Sequence, residues 1–190
     1  AFAAFSADQI AALTTGDIAA LTTDQVNNLT TAQLDALTSD QVRALTELQI
    51  GALSTAQASA LPMAQLAALS TTQITWISTA DIGALTTGGI GAFSTSQIAA
   101  LTTAQTSAFT TEQIDALSTD QVASLGTANV GAFDSTQLRA FEDDQVAAFT
   151  TEQLAALSTN LSVLTTEQIA VLSTAEHPVQ TMQAAAEVAS

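Results

Sequence analysis

A chain of 190 residues that sets 18 acidic side chains against Arg43 and Arg139 alone, with no Lys, carries a formal charge of −16. Without a basic patch it has nothing to neutralise phosphates, which argues against nucleic acid and against anionic membrane surfaces as partners. Cysteine is absent, which removes disulfides and thiolate chemistry, and Thr-Thr or Ser-Thr pairs cut every apolar run before it reaches the length of a membrane span.

The first residues, Ala1-Phe2-Ala3-Ala4-Phe5, show neither an initiator Met nor a charged leader before a long apolar core. The chain therefore reads as a processed product or as part of something longer. From Gln9 onward one position recurs every eight residues, as Asp17, Gln25, Gln33, Gln41 and so on to Gln153. The octad is [S/T]-T-x-Q-[I/V/L]-x-A-[L/F], seen cleanly at Thr110-Thr111-Glu112-Gln113-Ile114-Asp115-Ala116-Leu117. Internal repetition on this scale overrides any reading as one or two ordinary globular domains.

Each octad is a helix start. In Leu21-Thr22-Thr23-Asp24-Gln25-Val26 the first Thr stands three positions before Gln, as a capping box requires. Thr22 is placed to accept the N–H of the third helical residue, and Gln25 to reach back to the cap's own N–H. The pairs Thr110 with Gln113 and Thr150 with Gln153 repeat the arrangement. Leu21, just before the cap, has hydrophobic-staple spacing to Val26. Carboxylates at Asp24, Glu112, Asp144 and Glu152 fall in the first turn, where the helix dipole favours them. The expected product is a helix of about six residues per octad, ended by the next Leu-Thr.

One continuous helix is disfavoured by the period itself. At about 100° per residue an octad turns about 800°, so its apolar stripe drifts about 80° per repeat and keeps no face. The expected fold is all-α, a tightly wound solenoid of short capped helices over residues 1–175. The alternative is a β-solenoid with ladders of Thr; frequent Ala and Gln and few turn glycines oppose it. Ile114, Ala116 and Leu117 exemplify the three positions expected in the core, and Phe133, Phe141 and Phe149 occupy the Leu slot as packing residues. So narrow a core is continuous only when units stack.

Departures from the octad follow in order. Pro62 takes a cap position, Trp76 replaces the small Ala, Gly88-Gly89 removes a capping partner, and Gly126 and Asp134 replace hydroxyl caps. Ser158-Thr159-Asn160-Leu161 is one residue short, and the register resumes at Gln168. Glu176-His177-Pro178 breaks the pattern, and residues 176–190 read as a capping or docking helix.

Chemistry-bearing clusters are few. Asp134, Glu142, Asp143 and Asp144 form the densest acidic group, with calcium as the conceivable cation; the weightier reading is a solvated edge of first-turn carboxylates. His177 is the single histidine, so neither a His-based metal site nor a triad has a second member to build on. The hydroxyl residues fall at caps with no base beside them. No enzyme activity, metal or other cofactor is expected.

Tandem Leu-Thr-Thr-x-Gln-Ile-x-Ala octads from Phe5 to Ser173 resemble the repeats of very large, low-complexity bacterial surface proteins, loosely labelled haem-utilisation or adhesion proteins. The resemblance implies secretion to the cell surface and a structural or adhesive role. The expected function is a filament subunit or adhesin stalk that assembles head to tail with itself, with Phe2 and Phe5 at one end and Val179, Met182 and Val188 at the other as the polymer contact. The alternative is an ice-binding solenoid presenting a regular Thr array, which requires the β fold.

Overall fold

The computed structural model describes residues 5–157 and 160–174. These residues form twenty α-helices and one 3-10 helix in series, from Ala7–Ala11 to Thr166–Thr174, and no strand. The fold is an all-α solenoid with one short helix per octad, and the β-solenoid alternative is set aside. Most helices have five or six residues; Thr103–Thr106 has four and Thr166–Thr174 nine. No helix among the described residues is long and apolar enough to cross a membrane.

A five-residue helix is almost all ends. An α-helix leaves its first four N–H and last four C=O groups without internal partners, so such an element survives only if both ends are satisfied from outside. At the N-terminal end Thr22 Oγ1 accepts the Gln25 N–H at 3.2 Å while the Thr22 N–H donates to Gln25 Oε1 at 2.8 Å. Thr110 with Gln113, at 3.2 and 3.0 Å, and Thr150 with Gln153, at 3.2 and 2.7 Å, form the same box. The cap residues are extended, as at Thr22 with φ −73° and ψ 159°, so each octad is a corner followed by one turn of helix.

The chain divides into two compact units, Ala1–Ala100 and Leu101–Ser190. Within the first, each helix packs on the helix three octads away: Thr15–Ala19 on Ser39–Arg43, Thr55–Ser59 on Thr79–Ala84, Thr71–Thr75 on Thr95–Ala100. Within the second, Thr111–Asp115 packs on Ser135–Arg139, and Thr127–Gly131 on Thr151–Ala156. The core is the Ile/Val/Leu slot, with Ile10, Val26, Ile74 and Ile114 at 0% exposure, backed by the Leu/Phe slot. In the second unit Phe133, Phe141 and Phe149 meet edge to face in succession, ring centroids 5.4 and 5.1 Å apart, a favoured aromatic arrangement.

The shortened octad is absorbed without loss of register. Its missing residue is the Gln, and Leu161–Val163 form the 3-10 helix in place of an α-turn, with Leu161 and Leu164 both still buried. Residues 176–190, expected as a separate helix, lie outside the described residues, as do Phe2, Val179, Met182 and Val188.

Candidate functional site

The feature that organises both units is the glutamine of the octad. Once its Oε1 has taken the cap N–H, its Nε2 still holds two hydrogens, and these cross to the neighbouring coil. Gln41 Nε2 donates to the carbonyls of Ile10 at 2.9 Å and Leu13 at 2.7 Å, 31 and 28 residues earlier. Gln49, Gln57 and Gln73 repeat those separations in the first unit, at 2.8–3.0 Å. Gln145 and Gln153 do so in the second. The acceptors are carbonyls at a helix C-terminus, where a short helix leaves its last C=O groups without internal partners; the Ile-slot carbonyl also accepts a backbone N–H, as Ile10 O does from Leu13 at 3.1 Å. One carboxamide thus closes the start of its own helix and the end of a helix in the coil beneath.

These separations fix the winding. An octad packs its helix on the octad three away, yet where its slot holds Gln, as at Gln41, it sends the amide to the octad four away. A coil therefore holds between three and four octads, and each octad straddles the joint between two below it. Gln168, beyond the shortened octad, reaches Leu138 and Phe141 at 3.0 and 2.8 Å, now 30 and 27 residues back. The missing residue appears in the count and not in the contact.

From Gln33 to Gln168 the octad glutamines are consequently interior residues: Gln41, Gln113 and Gln153 are only 1–2% exposed. Ile114 and Leu117 are buried as well, whereas Ala116 is half-buried. The third core slot is thus Gln and not Ala. Trp76, in the Ala slot, is also half-buried and caps the C-terminus of Thr71–Thr75.

Three donors at the residue after the Ile slot add a second tie. Arg43 Nε donates to Ala68 O at 3.1 Å, Ser107 Oγ to Ala132 O at 3.2 Å, and Arg139 Nε to Val163 O at 2.7 Å. All three reach the carbonyl that ends a helix three octads on. The same approach holds Gly131, where an added Cβ would stand 3.6 Å from Ala156 O.

The acidic group takes its place in this scheme. Asp134 caps Ser135–Arg139, accepting the N–H groups of Thr136 and Gln137 at 2.8 Å each. Glu142 is the cap residue of Asp143–Ala147, and Asp144 accepts the Gln145 N–H at 2.9 Å. Among the described residues no three acidic or histidine side chains come together as a metal site. Phe5 is 38% exposed, with its carbonyl taken by Gln33 Nε2 at 2.8 Å.

A family model described as ALTTAQ repeat matches residues 10–47, 74–111 and 122–159, more than half of the chain. The chain belongs to the ALTTAQ repeat family. The six letters stand in this sequence as Ala100-Leu101-Thr102-Thr103-Ala104-Gln105. In structural terms an ALTTAQ run is the end of one helix, an apolar core residue, the cap, and the first turn of the next helix up to its glutamine. No curated protein matches this chain.

Proposed function

We propose that this ALTTAQ repeat chain is a structural protein of the cell exterior, a self-assembling subunit of a surface filament or a stalk within an adhesin. The observation that carries the reading is the glutamine that ties each octad to the coil beneath. Such an interface uses the same residues at every step, so added repeats extend it with no new chemistry, the behaviour of one-dimensional repeat proteins. The interior is consumed by self-packing, and the acidic surface suits a solvated spacer. The octad's resemblance to the repeats of large bacterial surface proteins supports an extracellular location. No catalytic role, metal or haem is proposed.

Assembly is head to tail between copies, a heterologous contact that grows without closing. Electron microscopy of the purified chain in neutral buffer, with and without calcium, tests the reading. Long uniform fibres are the expected result. Monodisperse short particles in both buffers overturn self-assembly and leave the stalk. The ice-binding alternative depends on stacked strands, and the described residues place their Thr pairs on separate helix starts instead.

A further inference from the structure

Where an octad carries Gln, three carbonyls of the coil beneath form a cradle around one NH2. Gln57 Nε2 lies 3.0 Å from Val26 O, 3.2 Å from Asn27 O and 2.9 Å from Leu29 O. Gln73 repeats the arrangement on Val42, Arg43 and Leu45 at 3.0, 3.2 and 3.0 Å. The residues 31, 30 and 28 positions before Asp81 are Ile50, Gly51 and Leu53. In that octad the glutamine slot brings an oxygen in place of an NH2, and a negative charge with it.

Asp81 is only 3% exposed, whereas Asp17, the other aspartate in the slot, is exposed. A side chain of this length is able to meet the coil beneath: Asn129, of the same size and shape, donates to Leu101 O, 28 residues earlier, at 2.8 Å. Asp81 Oδ2 accepts the Ser78 hydroxyl at 2.7 Å, which leaves Oδ1 for another donor. A carboxylate so nearly closed off from water is costly unless a positive group or further donors pair with it. The basic side chains of the chain are engaged elsewhere, Arg43 Nε with Ala68 O and Arg139 Nε with Val163 O, and there is no Lys.

We propose that Asp81 and the carbonyls of Ile50, Gly51 and Leu53 bind a primary ammonium group, as carried by a small alkylamine. Such a group returns the N–H donors that the slot has lost and balances the charge that it has gained. Its three N–H groups suffice for the carboxylate and two carbonyls. Calcium suits the cradle less, because it draws its oxygens in to about 2.3–2.6 Å, closer than the 2.9–3.2 Å at which the carbonyls stand around Gln57 Nε2. The way in lies beside Gly51, which is exposed and where an added Cβ would meet nothing within 4 Å, with Leu53 half-buried next to it.

Amide NMR of the full chain, titrated with methylammonium chloride and separately with tetramethylammonium chloride and potassium chloride at equal ionic strength, tests the site. Saturable shifts at Gly51, Leu53 and Asp81 are expected with methylammonium alone. Asp81→Gln restores the octad's own NH2, should fold at least as stably as the parent, and abolishes the response; Asp81→Asn, which keeps the shape, gives the same loss. Asp17→Asn leaves the response intact. Equal shifts with tetramethylammonium, which has no N–H, reduce the effect to charge screening and overturn the site. A response that persists in both Asp81 variants overturns it as well. Saturation by potassium at the same residues and concentrations overturns the requirement for an N–H donor.

Discussion

Gln73 joins two coils through one carboxamide: its Oε1 accepts the Ser70 N–H at 3.0 Å, and its Nε2 donates to Val42 O and Leu45 O, each at 3.0 Å. The group is 3% exposed, so water cannot replace what is lost when it is removed. Gln73→Ala takes the partner from the Ser70 N–H and from Leu45 O, and leaves Val42 O with the Leu45 N–H alone. A loss of about 2–4 kcal/mol is expected, above the roughly 1 kcal/mol of a solvent-compensated hydrogen bond. Gln73→Glu keeps the cap acceptor but turns an oxygen toward the two carbonyls, and should be worse. Urea denaturation monitored by circular dichroism measures both, and a Glu variant as stable as the parent would refute the interior role of the amide.

The comparison with Glu also explains what was legible in the sequence. The cap box was readable because both of its partners lie within one octad, three residues apart, as at Thr22 and Gln25. A capping box alone accepts Glu as readily as Gln, yet from Gln9 to Gln153 no octad carries Glu in that slot, and Asp17 and Asp81 alone put a carboxylate there. That exclusion was the signal that an NH2 donor was needed. It is a negative pattern, and its partner lies 28 to 31 residues away, so a period of eight does not reveal it. The same distance hid the number of octads per coil and led Ala116, rather than Gln113, to be placed in the core. Ile114, Leu117 and the Phe slot were legible because large apolar residues at a fixed period have few places to go other than inward.

Pro62 supplies the converse case. Pro62→Ser restores both the hydroxyl cap and the N–H that Gln65 Oε1 lacks. A gain of about 1–3 kcal/mol is expected from a cap together with a buried acceptor newly satisfied. Thermal unfolding of the single variant measures it. No gain would mean that the proline's restriction of the unfolded chain outweighs the missing bond.

The two arginines separate an ion pair from a carbonyl tie. Arg43 Nη1 lies 3.4 Å from Asp40 Oδ1, but those side chains are 58% and 83% exposed, and exposed pairs contribute about 0–1 kcal/mol. Its Nε bond to Ala68 O spans two coils. Asp40→Asn should therefore be close to neutral, within about 0.5 kcal/mol. Arg43→Ala should cost more, and Arg139→Ala should match it through the lost bond to Val163 O. Chemical denaturation of the three variants ranks them, and an Asp40→Asn loss equal to that of Arg43→Ala would reverse the assignment.

Acid sensitivity follows from the caps. The Thr14 hydroxyl, at 2.7 Å, and then the Thr14 N–H, at 2.9 Å, hold the Asp17 carboxyl below its ordinary value. Glu112 is held low first by its own N–H and then by the hydroxyls of Thr110 and Thr111. A carboxyl depressed by folding gives stability that is fully present above the unfolded value and is lost as pH falls through the folded one. Both groups should thus leave neutral and basic stability flat and weaken the fold only on the acid side. In an NMR titration Thr14→Ala should move Asp17 upward and leave Glu112 in place. A downward or absent shift at Asp17 would contradict the hydroxyl as its cause.

The fractional number of octads per coil has a mechanical consequence. Bricks laid in running bond have no vertical joint for a crack to follow, because every brick bridges two below. Within each unit the octads are laid in the same way, with a helix resting on the octad three back and an amide hooked to the octad four back. A force that pries one octad loose meets both neighbours beneath it at once, and the strain is divided sideways before it can travel along the axis.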